Sequence, residues 1–194
     1  MKKKIILASR SPRRKQLLEW AEIDFDILVK ETEETWPEGM AIADVPVHIA
    51  RQKALAAIGT NMYERYEHGV AVLAADTVVV IDNDILGKPA DRDEAIRMLG
   101  RLSGRTHNVI TGVVIMDGKK EVAFSDVTEV EFNALPIEAI EYYVDQYQPY
   151  DKAGAYAIQE WIGVLGIKSI HGDFYNVMGL PVNRVVRTLI SDFP

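Results

Sequence analysis

The sequence predicts an α/β fold, a mixed sheet with helices on its faces and a cleft between two lobes, and three observations lead there. Val- and Ile-rich runs alternate with helical runs, the pattern of crossover units. Two long strand-like runs, Val109 to Met116 and Val122 to Phe132, are joined by Asp117-Gly118-Lys119, a hairpin signal. The 194 residues suffice for one large domain or two small lobes with a buried core.

The elements follow in order. Lys4 to Ala8 reads as a strand, Pro12 to Ala21 as a helix and Phe25 to Val29 as a short strand before an acidic loop. A long helix is expected from Val45 to Tyr66, with Asp44 as N-cap and Pro46 in the first turn. Val70 to Ala75 and Val78 to Ile81 read as one buried strand interrupted by Asp76-Thr77, and Asn83-Asp84 turns the chain back toward Leu86. Asp91 caps a helix to Leu102, and after the hairpin another helix runs from Ile137 to Gln146. One or two strands precede a last helix from Val182 to Ile190, and no repeat or linker interrupts the chain.

Totals narrow the function. With no cysteine, catalysis must use oxygen and nitrogen groups, and neither a disulfide nor a Cys-based zinc site is available. A formal charge of −7 argues against a nucleic-acid or anionic-membrane binder, while leaving room for a locally basic pocket. Met1-Lys2-Lys3-Lys4 followed by Ile5 to Ala8 imitates a signal peptide, but the apolar run is too short. Val70 to Ile81 is likewise too short to span a bilayer, and a soluble cytoplasmic protein is expected.

Polar groups in unexpected places carry the chemistry. In Ser9-Arg10-Ser11-Pro12-Arg13-Arg14, with Ser11 as N-cap and Pro12 as first helical residue, two arginines fall in the first turn. The helix dipole disfavours cations there, so a bound anion would complete the site; a solvated helix start is the other reading. Asp76 lies inside an apolar run, where a lone carboxylate is costly unless paired or metal-bound; a turn exposing it to water is the alternative. Gly87-Lys88-Pro89 combines close backbone approach, a compact charge and a stiff exit, but it is not a Walker loop.

Glu31-Thr32-Glu33-Glu34 could share a hard divalent cation with Asp76, or form an acidic surface loop. His48, His68, His107 and His171 show no zinc spacing, and Ser103 to His107 also fits a plain helix-to-strand loop. Lys53 sits in an amphipathic helix with no partner that sequence identifies. In Asp151-Lys152-Ala153-Gly154-Ala155-Tyr156-Ala157-Ile158-Gln159, alternation would put Tyr156 and Ile158 on one face and Ala157 and Gln159 on the other. The Gln159 amide, which donates and accepts, suits a base edge. Asn176 to Pro181 reads as the turn into the last helix.

In this order, SxSPRR, Glu33-Glu34, Ala75-Asp76-Thr77, Gly87-Lys88-Pro89, SGRxH at Ser103 to His107, DKAGxYxIQ at Asp151 to Gln159 and NVxGLP at Asn176 to Pro181 resemble the Maf family of nucleoside triphosphate pyrophosphatases over nearly the whole chain. The DKAGxYxIQ segment resembles the branch acting on dTTP and UTP rather than the sibling branch associated with 7-methyl-GTP. One departure is Glu160, where relatives of this branch usually carry glycine.

The resemblance implies a single domain over residues 1–194, the elongated mixed sheet shared with inosine-triphosphate pyrophosphatases, and cleavage between the α- and β-phosphates with a divalent metal, Mg or Mn. It implies Asp76 as proton acceptor, with Glu34 and Asp76 as metal ligands. Ser9, Arg13, Arg14, Lys53 and Lys88 would meet the substrate, and Arg13, Thr77 and Gln159 are the positions linked to substrate choice. The partner expected is a nucleoside triphosphate, with neither nucleic acid nor membrane, and such proteins are often homodimers. Two alternatives stand beside this reading: a pyrophosphatase for modified purine nucleotides, and a non-catalytic regulator of cell division or septation.

Overall fold

The computed structural model describes residues 4–66 and 69–194, so His68 and the first three residues of the lysine-rich start lie outside it. The chain forms β1 (Ile5–Leu7), α1 (Pro12–Trp20), β2 (Phe25–Ile27), α2 (Val45–Ile58), β3 (Val72–Ile81), β4 (Asp84–Leu86), α3 (Arg92–Leu102), β5 (Thr106–Met116), β6 (Glu121–Phe132), α4 (Ile137–Tyr147), α5 (Trp161–Gly166), β7 (Ile167–His171), α6 (Phe174–Met178) and α7 (Val182–Asp192). The strands make one seven-stranded sheet in the order β2-β1-β3-β5-β6-β7, with β4 on β3. β1 runs parallel to β2 and β3, whereas β3–β4 and β6–β7 are antiparallel, so the sheet is mixed as expected. The parallel strands are joined through α1 and α2, the helical crossovers that parallel pairing needs. No described helix is long and apolar enough to cross a membrane.

The chain separates into two compact units, the first comprising Met1–Asp76, Thr111–Asp126 and Gly179–Pro194, the second Thr77–Ile110 and Val127–Met178. Each has its own core. In the first, Ala50, Ala54 and Ala57 of α2 lie against Val72 and Ala74 of β3, with Ile6, Val114 and Met116. Small residues on both elements let helix and strand approach closely. The start of α2 also lies hard against β5, where a Cβ on Gly112 would meet the backbone of Pro46 and Val47. In the second unit, Val79, Ile81, Val109, Val130 and Phe132 pack with Leu99 and Leu102 of α3 and Tyr143 and Val144 of α4. Burying each such side chain contributes roughly 1.5–3 kcal/mol.

Four local expectations are corrected. The helix from Val45 stops at Ile58 instead of reaching Tyr66, because Gly59 ends it and the Thr60 hydroxyl bonds back to the Ala57 carbonyl; Tyr63–Arg65 is a separate 3-10 turn. Asp44 precedes α2 without a side-chain cap bond. β3 runs without a break through Asp76 and Thr77. The β3–β4 hairpin turns one residue early, at Asp82 and Asn83, both with positive φ, so that Asp84 pairs with Ile81.

Candidate active site

Strand alternation puts Val72, Ala74 and Asp76 on the face of β3 that meets α2, and Thr77 on the opposite face. On α2, Lys53 lies one turn beyond Ala50 and beside Ala54. At the edge of the alanine contact, the two elements therefore exchange a lysine and a carboxylate. The Lys53 Nζ donates to Asp76 Oδ1 at 2.7 Å and meets Glu34 Oε1 at 2.7 Å. Asp76 is only 9% exposed, so its carboxylate stands in the core edge and not in a water-facing turn. The pairing meets the requirement that a buried charge be compensated.

A second cationic group is built at the start of α1. Ser11 caps the helix, its Oγ accepting from the Arg14 N–H at 3.4 Å, and Pro12 opens it, as the sequence indicated. Arg14 is buried, its Nε donating to the Gly179 carbonyl at 2.8 Å and its Nη1 to Ser9 Oγ at 3.2 Å. Burial pushes the Arg14 guanidinium below its usual range; Asp76 and Glu34 act against that and Arg13 adds to it. These charges therefore sense one another. Arg13, half-buried, is the neighbour in the same first turn.

Two carboxylates on one ammonium form a donor set that fits a hard divalent cation. Magnesium takes oxygen ligands and is commonly held by one or two carboxylates together with substrate phosphates. Among the described residues no group of three or more His, Asp or Glu side chains is placed to hold a metal ion, and Glu34 and Asp76 are the two carboxylates that meet on Lys53.

The other expected residues lie in the second unit. Lys88 and Gln159 are exposed and Thr77 is half-buried. The loops carrying the first two are joined, since the Gly154 N–H donates to the Gly87 carbonyl at 3.0 Å. Gly154 has φ +67°, and a Cβ there would press into Val79. The loop is not an alternating strand, which corrects the sequence reading. Ala153–Ala155 form a 3-10 turn, Ala155 has φ 59°, and Tyr156, Ala157 and Ile158 are all buried, leaving Gln159 exposed.

Sequence reasoning missed what holds this loop. His107 is 2% exposed, and its Nε2 lies 2.7 Å from the Tyr156 hydroxyl; burial lowers its pKa to about 4 and raises that of Tyr156. Phe132 stands edge-on to both rings at 5.1 and 5.0 Å. Ser103 is structural too, accepting from the Leu135 N–H at 2.7 Å, and Gly104 takes φ +68°. Asn176 is fully buried within α6, its amide donating to the Val109 carbonyl and to Thr128 Oγ1. The alternation of His107 with Val109, between polar Thr106 and Asn108 at the start of β5, was the signal available.

Taken chemically, the first unit offers a paired carboxylate able to accept a proton, a second carboxylate beside it, and arginines at a helix N-terminus. This is the equipment of a hydrolase acting on a phosphorylated substrate. The chain belongs to the Maf-like protein family, whose profile matches residues 4–191. Among its relatives, a Cytophaga hutchinsonii protein named dTTP/UTP pyrophosphatase is 48% identical over 189 residues, 97% of this chain and 84% of that protein. A Porphyromonas gingivalis protein of the same name is 48% identical over 193 residues, 99% of this chain and 95% of its own length. Among solved structures, the Staphylococcus aureus Ham1 protein matches with a TM-score of 0.44 and 14% identity, over 67% of this chain and 72% of that chain.

Proposed function

We propose that the protein hydrolyses nucleoside triphosphates, dTTP and UTP by preference, between the α- and β-phosphates to give the monophosphate and pyrophosphate. The observation that carries this reading is the Lys53 ammonium shared by the mostly buried Asp76 and by Glu34. Nothing in packing alone requires that set. The relatives named dTTP/UTP pyrophosphatase, 43–48% identical over nearly the full chain, support the nucleotide and favour neither the modified-purine nor the non-catalytic alternative.

In this mechanism Asp76 accepts the proton of the attacking water, whose oxygen bonds to the α-phosphorus as the bond to the pyrophosphate oxygen breaks. Lys53 fixes the orientation of the Asp76 carboxylate. Arg13, Arg14, Ser9 and Lys88 bind phosphate oxygens, which suits a reaction governed mainly by positioning and charge neutralisation. Glu34 and Asp76 would hold a divalent cation, Mg or Mn, which when bound neutralises phosphate charge. Thr77 and Gln159 read the base. A uracil or thymine edge presents a carbonyl, an N–H and a second carbonyl, and a carboxamide complements part of that pattern. Cytosine replaces one carbonyl by an amino donor and leaves a polar group unpaired, a heavily penalised mismatch.

The net charge of −7 supports a free nucleotide in preference to a polymer; a cytoplasmic location and action as a homodimer belong to the same proposal. The test is a panel of nucleoside triphosphates with magnesium or manganese. Pyrophosphate release, fastest from UTP and dTTP, is expected. Orthophosphate release, or faster turnover of inosine triphosphate or GTP analogues, would contradict the reaction or the base preference respectively.

A further inference from the structure

Glu160 follows Gln159 directly, and its carboxylate has two partners from different segments of the chain. One oxygen accepts from the Tyr143 hydroxyl, and the other lies 3.5 Å from the Lys152 ammonium at the opposite end of the same loop. Tyr143 is fully buried and stacked on Tyr147 at 4.9 Å, so this end of the contact is set in the core. Lys152 is buried as well, with Asp151 on its ammonium at 2.7 Å. The backbone of Glu160 is equally engaged: its N–H donates to Ala157, and its carbonyl accepts from Gly163 and Val164 at the start of α5.

We infer that Glu160 is a positioning residue for nucleotide selection: by joining Lys152 to Tyr143 it closes residues 151–160 into a clasped loop and sets the pose of Gln159. This rests on the pyrophosphatase reading given above. Five consecutive residues, Gly154 to Ile158, are buried on one side of Gln159, and the clasped Glu160 stands on the other. The fit at Ile158 is close, since a Cβ on Gly163 would run into its carbonyl oxygen. Fixed neighbours on both sides hold the Gln159 backbone, so the point from which its amide reaches a ligand is set and only its side-chain torsions remain to be ordered. Freed at Glu160, the same amide would follow whichever base edge arrived. Base selection therefore depends on a carboxylate that touches no substrate.

Two conservative variants separate this from a merely structural role. Glu160→Gln keeps an acceptor for Tyr143 but removes the charge facing Lys152, and Tyr143→Phe removes only the hydroxyl. Both are measured for kcat/KM on UTP and CTP, for thermal midpoint, and for hydrogen exchange of the 153–160 amides without nucleotide. The UTP-to-CTP ratio is expected to fall about 5-fold or more in each, with faster exchange confined to the loop and the midpoint within a few degrees of wild type. An unchanged ratio in both variants, with or without faster exchange, would overturn the inference. If the wild-type chain prefers another triphosphate, the pyrimidine reading falls, and the clasp is judged on the same change in ratio between that nucleotide and the closest base analogue it rejects.

Discussion

At Asp76 the first unit holds opposite charges together, with one ammonium shared by two carboxylates at 2.7 Å each. The loop from 151 to 160 in the second unit is held by buried rings and hydroxyls, His107 on Tyr156 and Tyr143 on Glu160, and by the Lys152 ammonium between Asp151 and Glu160. In the proposed function the difference separates two tasks. A centre of charged groups suits the charge of phosphate, which every nucleoside triphosphate carries, whereas a loop held by packed rings and internally paired charges suits the shape and polarity of one base. Changes at the first should alter turnover of all substrates alike, and changes at the second should alter the choice among them.

The largest expected effect is that of Asp76→Asn, which keeps the side-chain volume and lowers basicity. Pyrophosphate release should fall by about 10²- to 10⁴-fold, with the thermal midpoint little changed; near wild-type rates would remove Asp76 from the chemistry. Next comes Lys53→Met, which leaves two carboxylates without their shared cation. Turnover should drop, and stability should fall by about 2 kcal/mol, less than for a fully enclosed pair because Glu34 remains partly exposed. Denaturant unfolding checks this. Arg13→Ala makes the contrast, since it should weaken triphosphate use while costing about 1 kcal/mol of stability or less.

In the second unit, His107 gives a pH signature. Its folded pKa of about 4 lies below the ordinary value of 6.5, so the unfolded chain binds the extra proton between those values. Stability from this residue is therefore complete above pH 6.5 and declines as pH falls toward 4, by about 3 kcal/mol at the lower end. Denaturant unfolding across that window should show a shallower acid loss in His107→Gln than in wild type, whatever its absolute stability; equal slopes would place the proton elsewhere. The smallest effect expected is that of Glu34→Gln, which should raise the magnesium concentration for half-maximal rate by about 5-fold. An unchanged metal titration would return Glu34 to the acidic loop.

How much of this could be read in the sequence follows from the same contrast. Asp76 was legible because a carboxylate within a Val- and Ile-rich run violates the expected pattern, and the long strands and the Asp91-capped helix followed from their composition. Lys53 was not legible, because a lysine in an amphipathic helix is ordinary until Asp76, 23 residues on, folds beside it. The loop was misread for a local reason. Its alternating letters suggested a strand, but alanine at positive φ gives no compositional sign, and that turn buries Ala157 along with Tyr156 and Ile158. Likewise the helical pattern continues past Gly59, where the helix ends and the Thr60 hydroxyl bonds back to the Ala57 carbonyl.

The claim that catalysis and selection reside in separate regions is tested most directly by one quantity, the ratio of kcat/KM for UTP to that for CTP, measured in Asp76→Asn and in Glu160→Gln. The ratio is expected to stay at its wild-type value in the first variant, where both rates fall together, and to drop in the second, where UTP turnover is largely kept. A ratio that changes in Asp76→Asn, or rates that fall in parallel in Glu160→Gln, would contradict the separation.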